Sequence, residues 1–416
     1  MSSPALTRGD PAGRPGPARS ARDAWRHRAR LPWRPDGRSD RLLGVDVARS
    51  VALVGMVATH VLPISDDTGA LTTSHEVFGG RSSALFAVLA GVSIALLTGR
   101  ETPLRGPVRH RAGLALVLRA AIIGGIGLWL GSLDSGIAVI LSYYAVLFIC
   151  ALPFLGMRPG RLLALGAGCA VVLPLVSYAL RSGLDLEPTG GLPALASLRE
   201  QPGAVLEELL LTGYYPVVPW LAYLLVGLGV GRLRLGSPRV ALQLATAGAA
   251  LALGARLLSE LLLRAFGGYD ALAPRVEGEV QRAVAGGAYG IVPTDTTWWL
   301  AVAGPHTGTP LDLLHTIGTA LLVLGAALLV VPYARLVLLP LAAAGGMSLT
   351  LYTTHVWLFD RWDGAGPAGF YATQVLLGLL LALAWRTTLG RGPLEAVIAA
   401  VTRPVRGASA ARRTQT

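Results

Sequence analysis

Long apolar runs, separated by loops rich in charged residues, glycine or proline, are the main pattern along this chain. An apolar run of about 20 residues is long enough to cross the hydrocarbon core of a bilayer as an α-helix. The runs of roughly this length cover residues 42–63, 81–98, 112–131, 136–156, 161–180, 214–231, 239–265, 312–332, 336–358 and 367–389. The pattern therefore predicts an all-α fold, a polytopic integral membrane helical bundle of about ten transmembrane helices.

Arginine is concentrated in alternate loops between these runs. The loops around residues 99–111, 157–161, 232–239 and 335 hold it, as does the C-terminal tail, whereas the intervening loops are mostly acidic. Cytoplasmic loops of membrane proteins carry an excess of Lys and Arg. The alternation predicts that both termini are cytoplasmic, that the acidic loops face outward, and that the protein is a multi-pass protein of the inner (plasma) membrane.

Composition agrees with this interpretation and excludes other classes of protein. The chain is 53% hydrophobic and 14% charged, with a mean hydropathy of +0.55, values outside the range of a soluble globular protein. Its net charge of +12 does not indicate nucleic-acid binding, because the basic residues lie mainly in the tails and in alternate loops. We therefore expect the lipid bilayer as a partner and no nucleic acid.

Two polar tails flank the apolar runs. Residues 1–40 are rich in Arg, Pro and Gly without periodicity, which is typical of a disordered cytoplasmic tail, and residues 396–416 form a basic cytoplasmic tail. The transmembrane part between them divides into regions 41–235 and 236–395. Its outward loops 181–213 and 266–311 are unusually long, and the second holds Trp298, Trp299 and His306, which fit either a lid or an ordinary interfacial belt.

The first apolar run carries ionisable residues where lipid would disfavour them. On a helix of 100° per residue, Asp46, Arg49 and His60 share one face, and Asp46 lies about 21 Å from His60 along the axis. A charged group at the centre of a transmembrane helix costs at least ~2.5 kcal/mol. The polar stripe is therefore expected to face protein or water.

Four of the seven histidines are predicted to gather at the outward face. His60 ends the first run, His75 follows it in the next loop, His315 begins the eighth run beside Asp312, and His355 ends the ninth. Histidine exchanges protons near neutral pH and attacks acyl carbons, so this arrangement fits acyl transfer or proton coupling. For any one of these histidines alone a structural role is the favoured interpretation, and it is their convergence that indicates a functional site.

Two arginines within or beside the runs have alternative interpretations. Arg81, which follows two glycines, either holds an anionic group near His75, pairs with Glu76, or extends to the interface as a structural residue. Arg119 lies inside the third run, where it either meets a phosphate group or pairs with Asp46. No CxxC, HExxH or Walker motif is present, so we expect no metal and no nucleotide-driven pump.

The first half of the chain resembles the heparan-alpha-glucosaminide N-acetyltransferase-like family of multi-span membrane proteins. The matching positions are Arg41, Asp46 and Arg49 of the opening helix, Ser50 where glycine is usual, His60 at its polar end, His75 at the family's active histidine, and the small-residue helix Phe86 to Ser93. The resemblance covers residues 41–235 and includes GYYPVVPWLAYLLVGLGVGR at 213–232, which is similar to a segment with a YP-x-x-PW core. Ser50 and His60 depart from the residues that are usual at these positions in the family.

The remaining residues resemble a different group of proteins. GGMSLTLYTTH at 345–355 and the closing Trp385 are similar to an uncharacterised bacterial membrane family that is often joined to this catalytic region. The first helix also resembles that of membrane acyltransferases that O-acylate surface sugars. These resemblances imply a bacterial cell-membrane protein.

The resemblance implies a membrane-bound acyltransferase. It would move an acetyl group from cytosolic acetyl-CoA, the donor substrate, to an amine or hydroxyl of a sugar-like acceptor on the extracellular face. The implied catalytic residues are His75, as general base or transient acyl carrier, and His60, which orients it or holds the acyl oxygen. The donor path would hold Asp46, Arg49 and Arg119, and the acceptor side Arg81, Glu76, His315 and His355.

Other functions remain open at this stage. A transporter or exporter would use Asp46, Arg49 and His60 as a proton or substrate relay, although no convincing internal repeat supports it. A noncatalytic scaffold or sensor is the third interpretation. The acceptor, the acyl chain length and whether the protein forms a homodimer are not readable from the sequence.

Overall fold

The computed structural model describes residues 40–133, 135–186, 190–362 and 366–406. Nearly all of the predicted N-terminal tail, the end of the C-terminal tail, and the loop residues Asp134, Glu187 and Asp363 lie outside the described residues. The side chain of Arg41 also lies outside them.

The described chain is helical, which confirms the all-α prediction for this part of the sequence. Its α-helices are α1 Asp40–Val61, α2 Thr73–Phe78, α3 Arg81–Leu97, α4 Gly106–Leu130, α5 Leu141–Cys150, α6 Pro159–Leu184, α7 Leu195–Glu200, α8 Pro202–Glu207, α9 Val217–Gly231, α10 Pro238–Ala265, α11 Gly268–Leu272, α12 Val280–Gly286, α13 Pro310–Ala334, α14 Leu339–Gly345, α15 Ser348–Phe359, α16 Pro367–Thr388 and α17 Pro393–Arg406. Short 3₁₀ helices cover Leu152–Gly156, Ala273–Arg275 and Thr297–Ala301, and a π-helix covers Glu208–Thr212.

Seven helical segments of the described chain are long and apolar enough to cross a membrane. They are α1, α2 together with α3, α4, α6, α10, α13 and α16. An eighth crossing is formed if the segment Pro202–Thr212 and α9, bent by 56° between them, count as one span. The protein is therefore a multi-pass membrane protein, and the predicted count of ten stays a prediction.

The other predicted runs are interrupted by residues that break helices. Run 136–156 begins with non-helical residues and continues as the ten-residue α5 and a 3₁₀ turn that contains Pro153. Run 336–358 divides into α14 and α15 at Gly346 and Met347. Hydropathy averages over such breaks, which is why the sequence reads each run as one helix.

Helix α1 lies at the centre of the bundle, where it packs against α3, α13 and α14. Small residues allow the close approach: a Cβ placed on Gly44 would lie 2.8 Å from a Leu328 side-chain carbon, and one on Gly345 would overlap the Asp46 carbonyl oxygen. Close packing of small residues is typical of membrane helix interfaces. The polar face of α1 is thereby enclosed by protein, as its charges require.

The peripheral helices α6, α10 and α16 expose apolar side chains. Leu175 and Leu180 on α6, Leu257 on α10, and Leu377 and Leu381 on α16 are all exposed. Continuous apolar surface of this extent is unusual on a soluble protein. These faces are suited to contact with lipid chains.

Residues 266–309, between α10 and α13, fold into a compact element that we call the cap. Its core packs Leu272, Val284, Val292 and Trp299 against Leu263 of α10. The Trp299 indole donates to Asp295 Oδ1 over 2.8 Å. Trp299 is therefore part of the core of the cap, and the interpretation of this loop as a lid or an interfacial belt stays a prediction.

Candidate functional site

The C-terminal end of α1 lies beside the middle of α15. His60 Nδ1 is 2.9 Å from His355 Nε2, and His355 Nδ1 is 2.7 Å from Gln374 Oε1 on α16. An amide oxygen only accepts, so His355 donates from Nδ1 in its neutral form, and its Nε2 accepts from His60 Nδ1–H. Because both hydrogen bonds run in this direction, the second nitrogen of His60, Nε2, keeps a lone pair and can accept a hydrogen bond.

His75 lies on the short helix α2, which Thr72 caps by accepting from the His75 backbone N–H. The Nε2 atom of His75 is 3.1 Å from the carbonyl oxygen of Gly286, the last residue of α12 in the cap. Because a carbonyl only accepts, Nε2 carries the proton of the neutral ring. Its Nδ1 is then a basic lone pair, and the cap determines which nitrogen is basic.

A tight turn between α2 and α3 brings the cap close to His75. Gly80 has a positive φ of +67°, and a Cβ placed there would lie 3.1 Å from the Pro305 Cα and 3.2 Å from the His306 backbone nitrogen. Only glycine combines this conformation with so little space. The turn therefore sets the distance between α2 and the segment of the cap that carries His306.

His306 is the histidine at this end to which the sequence assigned no catalytic role. It adopts a left-handed backbone with φ of +52°, and its ring lies 4.4 Å from that of Tyr214, between centroids. Its Nδ1 is buried without a hydrogen-bond partner among the described residues. Burial, together with the nearby His75, lowers the pKa of His306 to about 3, so the ring is neutral at physiological pH.

These contacts bring the histidines together at one end of the bundle, which we call the histidine end. His306 lies within electrostatic range of both His60 and His75, and His60 contacts His355 directly. His315 occupies a neighbouring position: its Nδ1 donates to the Ala252 carbonyl over 2.9 Å. Such a group of neutral imidazoles provides several adjacent proton acceptors in a mostly buried setting.

Arg81 joins His315 to the α2 turn. Its Nε donates to His315 Nε2 over 3.1 Å, and its NH1 donates to the main-chain carbonyl of Glu76. The carboxylate of Glu76 is exposed and is not the acceptor of these bonds. Asp312, buried at the start of α13, accepts from the Gly308 backbone N–H over 3.0 Å and adds a negative charge near Arg81.

The first half of α1 holds an arginine that binds three groups. Arg49 NH1 donates to Asp46 Oδ1 over 2.7 Å and to the Gly345 carbonyl over 2.9 Å, while NH2 donates to Ser93 Oγ over 3.0 Å. The planar guanidinium can serve these acceptors at once because its donors are held in a fixed fork. Arg49 thus joins α1, α3 and α14.

The second arginine whose charge acts on Asp46 is Arg386, near the end of α16. The guanidinium of Arg386 also lies against Gly346, about 3 Å from a Cβ placed there. Arg119, which the sequence placed on the donor path, lies on α4 and is half-buried. Its part in the site stays a prediction.

A comparison with protein families identifies the family of this chain. Residues 41–259 match the model of a family described as heparan-alpha-glucosaminide N-acetyltransferase, catalytic. The match covers more than half of the sequence. The chain belongs to this N-acetyltransferase family. A search of curated proteins finds no match.

The N-acetyltransferase match begins where the resemblance predicted it, at residue 41, and extends beyond residue 235 to residue 259, within α10. It includes the positions of Asp46, Arg49, His60 and His75. The likeness of the C-terminal half to a second bacterial family stays a prediction.

Several side chains of the site come from beyond the N-acetyltransferase match. Five of them follow residue 259: His306, His315, His355, Gln374 and Arg386. Gln374 binds His355, and the other four each contact, or act electrostatically on, a residue inside the family match. The hydrophobic core also runs through both halves. The predicted boundary between regions 41–235 and 236–395 stays a prediction. The site itself is built from residues of both regions.

Sequence reasoning did not select His306, Gln374 or Arg386. The position of His306 in a long loop was a weak signal for that residue, and a polar amide within an apolar run was a weak signal for Gln374. Within the ranges that the structure describes, no three His, Cys, Asp or Glu side chains are arranged to hold a metal ion.

Proposed function

We propose that this protein is a membrane acetyltransferase that moves an acetyl group from cytosolic acetyl-CoA to an amine or hydroxyl of a sugar-like acceptor on the outward face of the plasma membrane. The observation that carries the proposal is the environment of His75, whose Nε2 donates to the Gly286 carbonyl. The family match supports acetyl transfer as the chemistry.

His75 carries the reaction through Nδ1. As a general base, Nδ1 removes the proton of the acceptor while its amine or hydroxyl attacks the thioester carbon, and the CoA thiolate leaves. As a transient acyl carrier, Nδ1 attacks that carbon first, the C–S bond breaks, and the acceptor then displaces the imidazole and releases its own proton. In both routes the Gly286 carbonyl stabilises the developing imidazolium on the opposite nitrogen.

His60 is the proposed orienting residue of this reaction. The chain from His60 through His355 to Gln374 holds both rings in one tautomeric order. It keeps the Nε2 lone pair of His60 available to order the acceptor or to relay its proton. His306, which is close to both His60 and His75, adds an uncharged polar ring beside them.

The proposed donor side is the half of α1 that carries Asp46 and Arg49. Arg49 and Arg386 supply positive charge there, which suits the phosphates of acetyl-CoA, and Asp46 and Arg119 are assigned to the same path. Asp46 and His60 are separated by about 21 Å along α1, so the donor's flexible arm has to bridge this length. Three hydrogen bonds from Arg49 go to protein acceptors, so this arginine acts mainly by holding three helices together.

Arg81, Glu76, His315 and His355 are assigned to the acceptor side. Arg81 is already bound to His315 and to the α2 turn, so its positive charge is held in place beside His75. A fixed cation here favours an oxyanion that develops on the thioester carbonyl during transfer.

The test is transfer of radiolabelled acetyl groups from acetyl-CoA in inside-out vesicles that contain the purified protein. The variants are His75→Ala and His60→Ala, and the matched control is His110→Ala, an exposed histidine on α4. We expect His75→Ala to lose at least 100-fold of the rate, His60→Ala to lose less, and the control to match the wild type.

Two results would contradict the proposal. One is transfer that persists in folded His75→Ala protein. The other is a wild-type protein that neither binds acetyl-CoA nor moves label to any sugar acceptor but catalyses substrate counterflow, as expected of a transporter that uses Asp46, Arg49 and His60 as a relay.

A further inference from the structure

A second group of polar residues lies beyond the histidines, around Glu208. Glu208 begins the π-helix Glu208–Thr212, and its side chain is buried, with the residue only 7% exposed. Its Oε1 has no hydrogen-bond partner among the described residues. Single-turn π-helices occur frequently at functional sites, and a buried carboxylate oxygen without a donor is a rare feature of a native protein.

The neighbours of Glu208 are aromatic residues and glycines. A Cβ placed on Gly213 would lie 2.9 Å from Glu208 Cγ and would overlap the Tyr143 hydroxyl, so both side chains converge on this glycine. A Cβ placed on Gly191 would lie 3.5 Å from Glu208 Oε2. Tyr289 of the cap lies close as well: a Cβ placed on the next residue, Gly290, would overlap the Gly213 carbonyl oxygen. Burial and the nearby Glu208 raise the pKa of the Tyr289 phenol.

This group is connected to the catalytic histidines by ring contacts. The Tyr289 ring lies 4.6 Å from that of Tyr214, and the Tyr214 ring lies 4.4 Å from that of His306, between centroids. His306 in turn lies within electrostatic range of His75. The rings of Tyr289, Tyr214 and His306 therefore form a continuous row between the surroundings of Glu208 and those of His75.

We propose that Glu208, Tyr143 and Tyr289 form a subsite that anchors the acceptor by its sugar hydroxyls while the group to be acetylated reaches His75. The inference rests on the proposed function, since it names the part of the chain that recognises the acceptor.

The chemistry of the subsite favours hydroxyl groups. The carboxyl oxygens of a glutamate accept hydrogen bonds, and none of the described residues donates to Oε1 of Glu208. A sugar ring supplies several O–H donors at neighbouring positions, and the tyrosine faces pack against its apolar C–H surface. The amine of an amino sugar is the reacting group and belongs at His75, away from Glu208.

The experiment measures binding rather than turnover. The full-length protein in nanodiscs is titrated with methyl α-glucoside and methyl α-glucosaminide, which share their ring hydroxyls except at the position of the amine, and affinity is read from the shift in thermal unfolding. Glu208→Gln keeps the shape of the side chain and removes two of its acceptor lone pairs. Glu207→Gln, at the half-exposed preceding residue, is the matched control.

We expect Glu208→Gln to weaken both probes at least tenfold, Tyr289→Phe to weaken both several-fold, and Glu207→Gln to leave both unchanged. Affinity of Glu208→Gln equal to that of the wild type overturns the inference, as does a wild-type protein that binds neither probe. A loss confined to the aminated probe overturns the assignment to hydroxyls. Acetyl transfer is measured separately, so failure of the proposed function is recognised by its own assay.

Discussion

His60 and His355 lie 295 positions apart in the chain, yet Nδ1 of the first is 2.9 Å from Nε2 of the second. Their ring planes are parallel to within 5°. The contact joins a helix inside the family match to one outside it, so the C-terminal helices complete the histidine end. Gln374 determines which of the two histidines donates and which accepts, so it is the first residue to substitute.

Gln374→Ala removes the acceptor of the His355 Nδ1–H. We expect a loss of about 1 kcal/mol of stability, the usual contribution of one hydrogen bond, and about a tenfold slower transfer because both imidazoles lose their fixed tautomers. Gln374→Glu keeps an acceptor and should restore most of the rate. The measurement is acetyl transfer with thermal unfolding in parallel, and Gln243→Ala, at an exposed position on α10, is the control. Equal rates for Gln374→Ala and the control would refute the ordering role.

Arg49→Lys keeps the positive charge at the proposed donor side but loses the planar guanidinium with its fixed N–H donors. A lysine ammonium cannot reach Asp46, Ser93 and the Gly345 carbonyl with the same geometry, so we expect a loss of about 1–3 kcal/mol in unfolding free energy. Arg49→Ala should cost more because it leaves the carboxylate without its main partner. Arg264→Lys, at an exposed ion pair with Glu260, should change stability little. If the two lysine variants behave alike, Arg49 does not hold the helices together.

Gly345→Ala tests the close approach of α14 to α1. The added Cβ overlaps the Asp46 carbonyl oxygen, so α14 must move away and the bond from Arg49 to the Gly345 carbonyl is strained. We expect a lower unfolding temperature and weaker binding of acetyl-CoA. Gly125→Ala, on α4 with nothing within 4 Å of the new carbon, is the control and should lose no stability. Comparable unfolding temperatures for both variants would argue against this packing.

His306 predicts an acid-sensitive cap. Its pKa falls from 6.5 in the unfolded chain to about 3 in the folded protein, so below pH 6.5 the unfolded state binds a proton that the folded state refuses. The linked stability is present above pH 6.5 and is lost as the pH falls toward 3, by about 2 kcal/mol at pH 5.

His306→Asn isolates this effect, because asparagine tolerates the left-handed backbone and does not titrate. Unfolding is measured from pH 7 to pH 5 for both proteins, and we expect the variant to lose clearly less stability than the wild type. Parallel pH profiles would show that His306 is protonated as easily in the folded protein as in the unfolded chain.

The sequence by itself determined the class of protein and the polar face of its central helix α1. Apolar runs of membrane length dictate helices, since lipid leaves backbone groups no other partners, and the positions of Asp46, Arg49 and His60 on one face follow from helical periodicity. The family pattern added His75.

Only the tertiary structure decided which of these residues meet. The order of His60, His355 and Gln374 depends on how three distant helices pack, and periodicity carries no information about partners. The Gly286 carbonyl that orients His75 and the left-handed backbone that places His306 are properties of loop conformation. The charge of Arg386, near the end of α16, acts on Asp46 because α16 packs against α1, and the hydropathy pattern along the chain does not encode this packing.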